Sequence, residues 1–286
     1  MDRLGEDLAV LRRANDRSAA ADGAEPLDEA GRMALSHHGL DGAALWVTGT
    51  PEHDTGFALL RGGALDLAVA PDDRRRGLGT ALAEAALAEA TGPLTAWSHA
   101  DHPGAAALAR RFGFEKVREL WVMRRAAGPV DVPAVPGVTI RGYETGDADE
   151  VLRVNAAAFA HHPEQGSMDA ADLAARMAEP WFDPAGLLVA ADDTSPGRLL
   201  AFHWTKQHSS ALGEVYVVAV DPHAQGRGLG RTVTAAGLAH LAGLGVREIL
   251  LYVESDNVAA VATYTRVGFR HAESHVQYAR VTADAG

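Results

Sequence analysis

The chain of 286 residues contains no cysteine. That removes disulfides, thiolate metal sites and a cysteine nucleophile together. It also lacks a long apolar run: nothing approaches the roughly 18 residues that a membrane-spanning helix requires. Its first residues, Met1-Asp2-Arg3-Leu4-Gly5-Glu6, hold no apolar signal-peptide core. A cytoplasmic location without a membrane partner is therefore expected. Positive charge is scarce, with 26 Lys and Arg against 38 Asp and Glu and a formal net charge of −12. A nucleic-acid partner wants a basic face, so none is expected, whereas a cationic substrate suits this balance. Hydrophobic content of 47% and charged content of 22% are ordinary for a globular protein. The length fits two lobes, each large enough for its own core, and the chain is expected to be a monomer.

Histidine is plentiful, at 13, and His37-His38 and His161-His162 raise the question of a metal. Neither H-E-x-x-H nor a Cys/His spacing accompanies them, so no metal is expected. His161 and His203 are candidates for a proton relay, or for capping and packing.

The chain says most through a repeat. Val69 to Gly79 reads V-A-P-D-D-R-R-R-G-L-G, and Val220 to Gly230, 151 positions on, reads V-D-P-H-A-Q-G-R-G-L-G. Each is a strand end, a proline, a polar turn, then x-x-G-x-G and a helical run. A glycine turn at a helix start exposes N–H groups that no helical carbonyl satisfies, and the helix dipole adds positive potential there. Such a place suits a pyrophosphate. Later come Arg111-Phe112-Gly113-Phe114 and Arg266-Val267-Gly268-Phe269, their glycines 155 positions apart.

Around these turns the element order repeats. Helical periodicity surrounds Leu4, Leu8 and Leu11, and a second helix is expected over 27–35. Strands are expected at 43–48, 56–61, 64–70 and 94–98, helices at 77–90 and 104–112, and a strand at 119–124. The second half gives strands at 138–141, 187–191, 199–205, 214–220, 248–254 and 276–281. Its helices are expected at 147–160, 169–179, 229–244 and 257–266. Residues 128–137 hold three prolines, which forbid helix and favour an extended linker. The reading is an α/β fold with α+β mixed sheets in two tandem domains, 1–127 and 138–286, joined by the linker 128–137.

The two turns and the later glycine motifs resemble those of the GNAT family of N-acetyltransferases, which hold acetyl-CoA by this turn. The resemblance implies acetyl-CoA as co-substrate. Its pantetheine is expected beside Val218, Ala219 and Val220, and its pyrophosphate at Gln225, Gly226, Arg227, Gly228, Leu229, Gly230 and Arg231. Asn257, Val258, Ala259, Ala260, Val261 and Ala262 are expected to border it. The first-repeat counterparts are Leu67, Ala68, Val69, Arg74, Arg75, Arg76, Gly77, Leu78 and Gly79.

Aligning the repeats on their turns sets Glu214 opposite Gly63, and aligning them on the later glycines sets Tyr264 opposite Ala109. Acetyl transfer to an amine needs a base for the ammonium and a donor for the departing thiolate. The family uses a carboxylate and a tyrosine, so Glu214 and Tyr264 are the catalytic candidates, and the first repeat is expected to bind without turning over. Their ordinary alternatives are a solvated strand-end charge and a helix-packing aromatic.

Four second-repeat stretches narrow the resemblance: Phe159 to Gly166, Ala201 to Lys206, Gly213 to Val218 and Leu251 to Val261. They are similar to GNAT enzymes that acetylate the cysteinyl amine of the pseudodisaccharide Cys-GlcN-Ins. The substrate contacts implied are Glu29, Glu164, Lys206, Glu214 and Tyr252. Carboxylates accept from sugar hydroxyls, and lysine and tyrosine donate. Glu29 opens an ordinary helix and reads equally as a solvated carboxylate. The connection from Lys206 to Glu214 is short for this family, which leaves the pocket rim open. Another amine substrate, or a non-catalytic acetyl-CoA sensor, are the competing readings.

Overall fold

Both glycine turns close a strand–turn–helix step, and the computed structural model, which describes residues 3–50, 53–160 and 165–280, builds a unit around each. By contacts, unit 1 comprises Met1–Trp121, Glu254–Asp256 and Glu273–Gly286, and unit 2 comprises Val122–Val253 and Asn257–Ala272.

Unit 1 opens with α1 (Arg3–Asp22) and α2 (Glu29–His38). The start of α2 is set by Asp28, whose carboxylate accepts from the Gly31 N–H at 2.7 Å. Strands β1 (Ala43–Thr50), β2 (His53–Arg61) and β3 (Ala64–Val69) form an antiparallel meander. Helix α3 (Leu78–Glu89) returns the chain to β4 (Leu94–Ser98), whose recorded parallel pairing with β3 is Ala64↔Thr95. Helix α4 (Pro103–Phe112) and β5 (Glu115–Ala126) follow. One sheet face buries Leu11, Leu27, Phe57 and Leu59, and a second cluster joins Ala58, Leu65, Leu82 and Ala86.

Unit 2 carries β6 (Val138–Gly142), α5 (Ala148–Ala158), α6 (Ala170–Met177) and β7 (Leu187–Asp192). Next come β8 (Leu199–Gln207), β9 (Leu212–Val220), α7 (Leu229–Gly243), β10 (Glu248–Glu254) and α8 (Val258–Arg266). Its strand order is β5-β10-β9-β8-β7-β6. Trp204 and Phe202 of β8 are fully buried against Val151, Val154 and Leu173 of α5 and α6. Truncating either aromatic would cost about 3–5 kcal/mol. Across the sheet, α7 lies close enough that a Cβ on Gly237 would meet the His203 ring at 2.0 Å. The glycine is required by that histidine.

The last strand of each repeat is exchanged. Strand β11 (Arg270–Arg280) runs antiparallel to β4 in unit 1, from Val276↔Ser98 to Arg280↔Leu94. The end of β5, Val122–Ala126, belongs to unit 2. The chain-order division at 127 and 138 therefore differs from the division by contacts, because strand pairing overrides sequence proximity. Both exchanged strands begin earlier than alternation predicts, at Glu115 and Arg270, since charged residues there hide the apolar period. The proline segment forms no helix or strand, yet it docks on unit 2: Pro133 O accepts from Thr232 Oγ1 at 3.1 Å, and Val135 packs beside Leu229 and Val233.

Candidate active site

In unit 2 the β8–β9 register runs Ala201↔Val220 to Trp204↔Val217, then resumes at Thr205↔Val215. Tyr216 is thus the extra residue of a β-bulge, which bends β9 and re-aims the residues before it. On the other edge of β9 the recorded parallel register to β10 ends at Leu251↔Val215. Beyond it, the edge of β9 from Tyr216 to Val220 offers backbone groups to an added strand-like ligand. The motif strand ends on Asp221, which is pinned. Burial alone would push its carboxyl up, but Arg153 at 2.7 Å and the His223 N–H outweigh that and hold it low. Gly226 and Gly228 then take φ of 80° and 82°, and α7 begins without a side-chain cap, its first N–H groups turned to the loop.

Glu214 is 5% exposed and sits across from Lys206 on β8. His208 Nε2 lies 2.6 Å from its Oε2. Lys206, one of two lysines in the chain, is buried with its ammonium 4.6 Å from the Trp181 ring centre and 5.3 Å from that of Tyr216. Two π faces thus hold the cation, on the rung that carries Glu214. Arg176 Nε donates to the Tyr216 hydroxyl at 3.3 Å. Leu250 is the β10 partner of Glu214, and Tyr252, 46% exposed, follows two residues later on the same strand face.

Tyr264 lies on α8, edge-on to Phe269 at 5.9 Å between ring centres. Burial pushes its phenol up to about 12, so it stays protonated, as a proton donor must. Asn257 caps α8, its Oδ1 accepting from the Ala260 N–H at 3.1 Å, which fixes the segment 257–262 in place.

Unit 1 holds a cleft of about 970 Å³ lined by Leu67, Val69, Arg74, Arg75, the turn residues Gly77 to Gly79, Leu108, Phe112 and Tyr278. Its loop is differently wired. Arg74 is committed to Asp22 through Nη1 at 2.8 Å and Nη2 at 2.6 Å, and its Nε donates to Val69 O at 2.9 Å. Arg75, at φ 64°, stands where unit 2 has Gly226, a conformation that is strained for a non-glycine residue. Arg76 bonds the buried Asp73 at 2.9 Å. The β2–β3 register runs unbroken from Gly56↔Val69 to Arg61↔Ala64. Allowing for the bulge, Ala64 rather than Gly63 is the counterpart of Glu214, and Arg61 that of Lys206.

The structure brings Lys206 and Glu214 together, with Tyr252 on the same side of the neighbouring strand. Glu164 and His161 lie outside the described residues, as does the side chain of Glu29, whose backbone opens α2. His203 is not a relay: it is 0% exposed, bonds Val233 O through Nδ1 at 2.9 Å and fills the space under Gly237. His208, Trp181, Tyr216 and Arg176 escaped the sequence reading. The period-2 step from Lys206 to His208 was the available signal for the first of them. Among the described residues, no group of three or more His, Cys, Asp or Glu side chains is arranged to hold a metal.

These two units match known profiles. That of the acetyltransferase (GNAT) family covers residues 154–269, and that of an acetyltransferase (GNAT) domain covers residues 40–116. The chain belongs to the GNAT acetyltransferase family, as a tandem member, and GNAT acetyltransferases use acetyl-CoA. Relatives alike over nearly their full length carry one name. A mycothiol acetyltransferase of Nocardioides sp. is 54% identical, with 98% of this chain and 99% of that one aligned. Another, from Salinispora arenicola, is 46% identical over 97% and 93%. Among solved structures, a tandem GNAT protein from the clavulanic acid biosynthesis pathway superimposes with a TM-score of 0.70 at 20% identity, covering 99% of this chain and 98% of that one. At that identity the likeness speaks for the fold.

Proposed function

We propose that the chain transfers the acetyl group of acetyl-CoA to the cysteinyl amine of desacetylmycothiol, Cys-GlcN-Ins, the last step of mycothiol biosynthesis. The near full-length likeness to mycothiol acetyltransferases carries this reading. Unit 2 is the catalytic copy, and the protein works as a cytoplasmic monomer. No helix among the described residues is long and apolar enough to cross a membrane.

In this reading the buried Glu214 takes a proton from the substrate ammonium, directly or through one water. The neutral nitrogen attacks the thioester carbon, and backbone N–H groups at the β9 bulge stabilise the charge growing on its oxygen. As the C–S bond breaks, Tyr264 gives its phenolic proton to the thiolate, and the second N–H proton, which the nitrogen sheds as the amide forms, returns to the phenolate. Pantetheine lies along Val218 to Val220, and the pyrophosphate meets the loop Gln225 to Arg231, with residues 257–262 beside it. Lys206 and Tyr252 donate to the pseudodisaccharide, and Glu164 and Glu29 accept from it. Unit 1 is a binding copy, on two grounds: its cleft meets the glycine turn, and Ala64 stands where the base would be.

The test is acetyl-CoA turnover on purified protein with Cys-GlcN-Ins, beside GlcN-Ins and free cysteine. Strong preference for Cys-GlcN-Ins is expected. Equal rates, or none with acetyl-CoA still bound, would remove the proposed substrate.

A further inference from the structure

We infer that His208 is the positioning and proton-relay partner of Glu214, carrying the substrate's proton from a buried carboxylate to solvent; this rests on the proposed base role of Glu214. A carboxylate that takes a proton in each cycle must also lose one. Glu214 is poorly placed to do that itself, its side chain being only 7% exposed, whereas the His208 side chain is 34% exposed and their nearest atoms are 2.6 Å apart. The imidazole bridges the buried group and water. Its two ring nitrogens can take a proton on one side and give one on the other.

The loop holding His208 is built for a fixed position. His208 N–H donates to Leu212 O at 2.9 Å. Ser209 Oγ accepts from Ala211 N and Leu212 N, both at 3.2 Å. These bonds close a tight connection between β8 and β9, so the ring is delivered to Glu214 by a constrained backbone. In unit 1 the corresponding connection is Gly62-Gly63, with no side chain to deliver, and the carboxylate is absent as well. The two residues occur together in one unit and are missing together from the other.

The proton inventory closes. The ammonium N–H breaks and a Glu214 O–H forms. At rest the Nε2–H of His208 donates to the carboxylate; once Glu214 is protonated, solvent exchanges the ring to its Nδ1–H tautomer and the Glu214 proton passes to the freed Nε2, leaving carboxylate and imidazolium. Imidazolium then loses its Nδ1 proton to water, which restores the Nε2–H tautomer bonded to Glu214. The other charged and titratable groups around the pair are Lys206 on β8, Glu248 and Tyr252 on the Leu250 face of β10, Arg124 bonded to Glu248 at 2.8 Å, and Arg176 on α6.

The experiment compares wild type, H208Q, H208A and E214Q by steady-state kinetics across pH, with acetyl-CoA affinity as a check on folding. Glutamine can still donate to Glu214 but cannot relay a proton. H208Q is expected to lower kcat about tenfold to a hundredfold, with KM for acetyl-CoA unchanged. Its kcat/KM profile across pH should differ from that of the wild type, because one of two coupled groups is gone. Added imidazole should restore turnover to H208A. Wild-type rate and profile in H208Q would overturn the relay, and so would an H208A loss that imidazole fails to rescue. If E214Q keeps full turnover, the base reading itself fails, whatever the histidine variants do.

Discussion

Hairpins β2–β3 and β8–β9 are the same device in two states. Both pair in the same register relative to their glycine turns, and both carry a cation at the same rung, Arg61 or Lys206. They part at one inserted residue. Tyr216 bulges β9, Glu214 follows the cation across the ladder, and a four-residue loop brings in His208; unit 1 has a straight ladder, Ala64 and two glycines. A second difference lies under the motif helix. Unit 2 stacks Gly237 over His203, while the matching positions in unit 1 are Ala86 and Ala58, joined in one core cluster. The glycine turn is retained in both copies, and the Lys206–Glu214 rung in one.

The largest test of that contrast is Glu214→Gln. Turnover should fall about 10²- to 10⁴-fold, with acetyl-CoA affinity held, as measured by steady-state kinetics and calorimetric titration. Adding Ala64→Glu to that variant should restore nothing, since unit 1 has no bulge to aim the carboxylate; recovered activity would make the bulge irrelevant.

Acid titration probes the second difference. Burial pushes His203 down to about 4, whereas an unfolded chain protonates it near 6.5. The folded state thus binds fewer protons between those values, and stability is lost as pH falls from 6.5 towards 4, by on the order of 3 kcal/mol. The variant H203A/G237A, which copies unit 1, should take up about one proton fewer on unfolding at pH 5. His99 in unit 1, also pushed down to about 4 by burial and by nearby His275, adds a slope of the same sign, which Asp66, pushed up to about 7 by burial, opposes.

Tyr264→Phe should lower kcat about tenfold to a hundredfold. With the phenol at about 12, the loss should be the same at pH 6 and pH 9; a loss confined to alkaline pH would remove the donor role. Smallest is Gly237→Ala, expected to cost about 1–3 kcal/mol by overpacking. Thermal unfolding should show H203A/G237A to be less destabilised than the two single variants summed.

The repeat and the element order were legible in the sequence, because glycine turns and apolar periods are local; Lys206 and Glu214 were named there by resemblance, but their pairing across the ladder was not legible. The bulge was not: Val215-Tyr216-Val217 alternates like any strand, and only its partner reveals the extra residue. That hidden insertion is why the ungapped alignment set Glu214 against Gly63. His208 was passed over because a shortened loop reads as rim variation, while His203, read as a relay candidate or a packing residue, proved to be core. The strand exchange left no mark, since pairing partners far apart in sequence share no local pattern.

That exchange bears on the order in which the protein can be made. Tyr278 pairs with Ala96 and lines the unit 1 cleft, although some 180 residues of chain separate the two. Closing so long a loop is slow, and nascent chains otherwise fold from the N-terminus. On the ribosome the first repeat must wait, its sheet edge at β4 uncovered, until nearly all of the second has emerged. The copy translated first is completed last.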